Sequence, residues 1–293
     1  MTRFAWSGVA AAAAGAALGI GYALASPAGD VTPPPTSRMG PFAGSPLGIC
    51  RGRVPGNVGA RLAELQRYAD EHRVQPVDNP LGSDDPGVDL MEKLGLLEGH
   101  LMIGKMLVDA NKVSDGLPHF GHPVRELYDY IKPAIEKRKL RSYDAQLKAL
   151  EAEVRASGPG GKTGALYSAA IAWVGEVRQS IPAARRSDGK FILETIALLL
   201  EDAAEDFGES LENGRIVNTV EYHDAMGFTI YAKALLTAYR PQADAFAKGR
   251  IDRVMAEIDG AMAAFPALVP PPRPAKSVSQ MKGHAARVKD LTK

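Results

Sequence analysis

The 293 residues carry 35 Lys and Arg against 34 Asp and Glu, so no global field favours a polyanion such as DNA or RNA. Hydrophobic residues make up 45% and aromatics only 6%, with alanine supplying much of the apolar content, a balance that suits closely packed helices. The single cysteine, Cys50, excludes an internal disulfide framework and any cysteine-based metal cluster, and reads as a free thiol.

Residues 1–25 hold one basic residue and then a long Ala/Gly-rich apolar run ending in Ala23-Leu24-Ala25. This is the pattern of a signal peptide cleaved before Ser26, or of a retained membrane anchor. Either exported reading places the body in the periplasm, with membrane contact only through that segment if it is uncleaved; a cytoplasmic protein is the remaining alternative. Residues 26–87 read as a proline- and glycine-rich linker, with one short helix over 61–73 on which His72 is a solvated histidine.

Residues 88–265 then read as an all-α multi-helix bundle with proline-rich N- and C-terminal extensions. Helices are expected over 88–112, 123–138, 143–156, 165–180, 191–211, 216–239 and 242–264, while strand signals are nearly absent. Pro133 is expected to bend the second helix or limit it to its early turns. The glycine-rich turn 157–164 lacks the spacing of a phosphate loop. Residues 266–293 are proline-rich, then basic, and are expected to lie outside the fold. Glu194, Glu201 and Glu205 line one face of the 191–211 helix and read as solvated surface.

The stretch from 94 to 131 concentrates chemistry-bearing side chains. Leu94, Leu97, Glu98, Leu101, Met102 and Lys105 share one helical arc, so Glu98 falls on an apolar face and needs a partner. His100 lies at the edge of that arc. His119, His122 and Glu126 are spaced i, i+3 and i+7 and share a face if Pro118 starts the helix. If Pro123 starts it, both histidines belong to the entering loop. In the 216–239 helix, Asp224 sits near the centre of an apolar arc, with Glu221 and His223 on opposite edges. Asp224 or His223 is expected to face the first helix and satisfy Glu98, directly or through an ion.

Imidazole nitrogens with carboxylate oxygens suit Fe, Zn, Cu or Mn. The candidate metal ligands are His100, His119, His122, Glu126 and His223, with Glu98 in support; the alternative is a set of buried hydrogen bonds and helix caps. Paired Glu-x-x-His motifs are absent, which argues against a di-iron oxidase. With no serine-nucleophile elbow, no zinc-peptidase motif and no dinucleotide fingerprint, the chain reads as non-enzymatic. The functional expectation is a helical periplasmic protein binding a transition metal such as iron, with an envelope or inner-membrane protein partner. Its alternative is a structural or partner-binding subunit of an envelope complex without metal.

Three resemblances bear on this. Gly99-His100-Leu101, His119-Phe120-Gly121-His122-Pro123, Glu126 with Tyr128, and Glu221-Tyr222 resemble a group of helical bacterial envelope proteins over residues 90–265, which implies fold and location rather than an activity. Gly121-His122-Pro123-Val124-Arg125-Glu126 is similar to the GxHxxE motif of imelysin and EfeO-type periplasmic iron-uptake proteins. It departs in having His122 directly after Gly121 and three residues between His122 and Glu126. Arg125-Glu126-Leu127-Tyr128-Asp129 resembles the RExxE motif of bacterial iron permeases, although this segment is far too polar for a membrane helix.

Overall fold

The first described helix is started by Asp85, whose carboxylate accepts the backbone N–H groups of Gly87 and Val88 at 2.8 and 3.2 Å around Pro86. A side-chain acceptor followed by proline at the first helical position satisfies the free donors of a helix start. Helix α1 (Pro86–Asp109) begins there. The structure, a computed structural model, describes residues 83–293. The N-terminal segment, Cys50, His72 and the 61–73 helix lie outside the described residues, as does the side chain of Glu126.

After α1 come the short turns α2 (Val113–Gly116) and α3 (Pro118–His122), a π-helical turn over Pro123–Leu127, then α4 (Tyr128–Lys137) and α5 (Asp144–Ser157). Pro118 therefore starts the helix that carries both His119 and His122. Pro123 has no N–H to donate, and the π turn follows directly. Pro133 sits inside α4 without ending it. Helices α6 (Thr163–Gln179), α7 (Ala183–Arg186) and α8 (Gly189–Glu209) complete the middle of the chain.

A two-residue hairpin interrupts the helices where the sequence suggested an early start of the next one. Leu211–Glu212 pairs antiparallel with Arg215–Ile216 across Asn213 and Gly214, whose φ values of 50° and 72° make the tight turn that glycine and asparagine tolerate. Helix α9 (Thr219–Tyr239) starts after it, capped by Asn218, which accepts the Val220 N–H at 3.1 Å. Next come α10 (Ala245–Lys248), α11 (Ile251–Met262) and α12 (Val278–Asp290).

Helices α8, α9, α11 and α12 pack in a closed ring of four, and α1 lies against α8 and α9. Burial on every side of α1 explains its nearly continuous apolar sequence: Val88, Leu94, Leu97, Leu101, Ile103 and Leu107 are all fully buried. The segment from 266 onward departs from the expected loose tail. Ser277 and Gln280 form a reciprocal capping box, and α12 buries Met281, Ala285 and Val288 against the bundle. Its basic residues lie on the outer side, where Lys289 pairs with Glu201 at 2.8 Å. That face of α8 is therefore partly covered.

Glycines fix where α1 meets its neighbours. A Cβ on Gly99 would stand 3.1 Å from the Gly227 carbonyl carbon, and one on Gly227 only 2.5 Å from the Gly99 oxygen. The backbones of α1 and α9 touch at this crossing, which only two glycines permit. Gly104 does the same towards α3, where a Cβ would meet that of His119 at 3.1 Å. The residues after these contacts, His100 and His119, are thereby drawn towards Asp224.

Candidate metal centre

Three helices each contribute to one buried cluster. His100 comes from α1, His119 and His122 from α3, and His223 and Asp224 from the second turn of α9. His100, His119 and Asp224 are 0% exposed, so their polar atoms must be satisfied from within.

The hydrogen bonds fix the tautomers. His100 donates Nδ1–H to the Leu96 carbonyl at 2.8 Å, which leaves a bare lone pair on Nε2. His119 donates Nδ1–H to Asp224 Oδ1 at 2.7 Å. His223 donates Nε2–H to the Leu268 carbonyl at 2.8 Å, where the segment after α11 folds over the start of α9. Tyr222 anchors the same segment by donating to the Ala267 carbonyl at 2.9 Å.

Burial first, and then the neighbouring His122 and His119, push the His100 pKa down to about 4, so its ring is neutral at physiological pH. Burial alone would raise the Asp224 carboxyl, but the surrounding imidazoles and the hydrogen bond from His119 hold it well below the usual carboxylate range. With His100 neutral, the Nδ1–H of His119 keeps Asp224 ionised. His100 Nε2 and Asp224 Oδ1 then face each other 3.3 Å apart, a lone pair against an anionic oxygen with no proton between them.

Such an approach is repulsive unless a cation stands between the two atoms. His122 Nδ1 completes the arrangement at 3.2 Å from Asp224 Oδ2, and His100, His122 and Asp224 each offer one ligand atom within 4.8 Å of the others. Ligands about 2.0 to 2.1 Å from a tetrahedral ion stand about 3.3 Å from one another, the separation found between His100 Nε2 and Asp224 Oδ1. The donor set, two imidazoles and a carboxylate, fits iron, zinc or copper and is too nitrogen-rich for magnesium or calcium.

The structure brings four of the sequence-derived candidates together, His100, His119, His122 and His223. Glu98 does not join them. Its carboxylate makes an ion pair with Arg178 of α6, whose guanidinium also lies over the Tyr231 ring at 5.8 Å. The partner that an apolar-face carboxylate requires is thus an arginine distant in sequence, and not Asp224, His223 or an ion. Glu126 lies on the π-helical turn. The carboxylate that enters the site is Asp224, which the sequence placed at the centre of an apolar arc facing the first helix but left out of the ligand set. A charged residue at the middle of a buried stripe was the available signal.

The all-α chain thus carries a buried imidazole–carboxylate cluster between its helices, with a donor set that a transition-metal ion could use. Residues 182–293 match the family model of the iron permease-associated 4-helix bundle domain. The matched segment is the one that contains the ring of α8, α9, α11 and α12, and it supplies His223 and Asp224. His100, His119 and His122 come from the helices that precede it. The match is not to imelysin or EfeO-type proteins, so that resemblance, carried by a displaced glutamate, is set aside. No curated protein and no solved structure matches the chain. Among the described residues, no helix is long and apolar enough to cross a membrane.

Proposed function

We propose that this chain is a non-enzymatic envelope protein of iron uptake, which holds a transition-metal ion, iron foremost, between His100 Nε2, His122 Nδ1 and Asp224. One observation carries the reading: His100 Nε2 and Asp224 Oδ1 are held 3.3 Å apart in the buried interior, with His122 offering a third ligand atom beside them. The similarity of residues 182–293 to an iron permease-associated domain supports iron as the cargo and an inner-membrane permease as the partner. The apolar run of residues 1–25 supports placing the body on the outer side of the cytoplasmic membrane. Full burial of the cluster favours storing or handing over an ion rather than turning over an organic substrate.

Anaerobic incubation of the purified chain with Fe²⁺, followed by desalting and elemental analysis, tests this. Wild type should retain iron and His122→Ala should lose it while remaining folded. Equal metal content in the two proteins would remove these residues from the site. Failure of the wild type to retain iron, zinc, copper or manganese would leave the cluster as a buried hydrogen-bond network.

A further inference from the structure

Two nitrogens of the cluster remain outside the site formed by His100, His122 and Asp224. His119 turns Nδ1 to Asp224, which leaves Nε2 as the nitrogen a cation could take up; His223 turns Nε2 to the Leu268 carbonyl, which leaves Nδ1. Neither atom has a hydrogen-bond partner, and the residues are 0% and 2% exposed. Two bare acceptors in adjoining buried rings repeat the situation found between His100 and Asp224.

Ring spacing shows how the four histidines divide. An ion about 2.0 to 2.1 Å from a ligating nitrogen lies about 3.2 Å from that ring's centroid. Two imidazoles on one tetrahedral ion therefore have centroids about 5.2 Å apart, on a trigonal ion about 5.5 Å, and never more than about 6.4 Å. His100 and His122 are 5.5 Å apart, and so are His119 and His223. His100 and His119, at 6.5 Å, are too far apart to share an ion, and His119 and His122, at 6.1 Å, would require a nearly straight arrangement. The four rings sort into two pairs.

We infer that His119 Nε2 and His223 Nδ1 form a second transition-metal position, making the cluster a two-ion centre joined through Asp224. Asp224 ligates the first ion and, by accepting the Nδ1 proton of His119, orients a ligand of the second, the carboxylate–histidine–metal relation common around bound metals. Two neutral imidazoles without a carboxylate of their own suit a nitrogen-preferring ion such as Zn²⁺, Co²⁺ or Cu²⁺ and reject Mg²⁺ and Ca²⁺. The inference rests on the proposed metal-binding reading and doubles its capacity.

The test is titration of the full chain with Zn²⁺ and with Co²⁺, read by equilibrium dialysis with elemental analysis and by the visible absorption of four-coordinate Co²⁺. Wild type should bind two equivalents. His223→Gln, whose amide can still donate to the Leu268 carbonyl, should bind one, and so should His122→Gln. Circular dichroism melting establishes that each variant is folded. One equivalent in wild type overturns the second position without recourse to any variant. Two equivalents retained in His223→Gln also overturn it. A single equivalent lost in His122→Gln but kept in His223→Gln overturns only this inference, whereas no binding in wild type overturns the metal-binding reading itself.

Discussion

Two buried polar regions lie along the same helices, and they resolve the cost of burial in opposite ways. In one, α1 and α8 bring Glu92, Lys93, Asp202 and Asp206 together; in the other, α1, α3 and α9 bring the histidines to Asp224. Lys93, although 1% exposed, pairs with Asp89 and reaches Glu92 at 3.7 Å. Burial, and then Asp202, push the Glu92 carboxyl up to about 9, and burial above all pushes Asp202 up to about 7. Asp206 is raised well above its ordinary value by burial and by the nearby Glu221 and Asp224. The acidic region therefore sheds charge by holding protons. Asp224 is equally buried yet stays ionised, because imidazoles surround it and His119 donates to it. What distinguishes a proton-holding carboxylate from an ionised one is thus the supply of donors and not the depth of burial.

The difference is broken most severely at Asp224. Replacing it with Asn keeps the shape but removes the charge and one ligand oxygen. Metal affinity should fall by about 100-fold or more, beyond the 10- to 100-fold typical of outer-shell changes, as measured by competition with a chromophoric chelator. Gly227→Ala should come next. A Cβ there collides with the Gly99 oxygen, so α1 and α9 must separate, at a cost of roughly 1 to 3 kcal/mol in stability. Denaturant unfolding measures that cost, and metal affinity should fall with it because His100 moves away from Asp224.

The acidic region makes a prediction of opposite sign. In the folded chain Glu92 holds its proton up to about pH 9, while the unfolded chain releases it near 4.5. Its contribution to stability is fully present below the unfolded value and is lost as pH rises through the folded one. Glu92→Gln, which mimics the protonated form, should therefore raise stability at pH 8 by at least about 1.4 kcal/mol, the equivalent of one pKa unit. It should also flatten the decline of melting temperature between pH 5 and 9, leaving metal content unchanged. Greater instability of Glu92→Gln at pH 8 would show that Glu92 is ionised. The smallest effect belongs to Glu98→Gln, which weakens the half-buried pair with Arg178 and should cost about 1 kcal/mol without altering metal content.

The helices were largely legible, because long apolar runs such as 191–200 and the Asn218 cap announce themselves locally. The C-terminal helix was not, since three prolines at 270–272 and a basic surface mask the few apolar residues it buries, Met281, Ala285 and Val288. Misplacing it also made Glu201 look like open surface. For the site, the histidines stood out as rare residues in an apolar context. Their grouping depended on the Gly99–Gly227 crossing, a contact between segments 128 positions apart that no local pattern reveals. Glu98 was misassigned for the same reason: a buried carboxylate declares that it needs a partner but not which one. Arg178 lies 80 residues away.

The most direct measurement is anomalous diffraction from crystals of the chain soaked with Zn²⁺ or grown with Fe²⁺. A strong peak bonded to His100 Nε2, His122 Nδ1 and an Asp224 oxygen, each at about 2.0 to 2.2 Å, is expected. A closed cluster, with His100 and Asp224 still 3.3 Å apart and no peak between them under saturating metal, would contradict it.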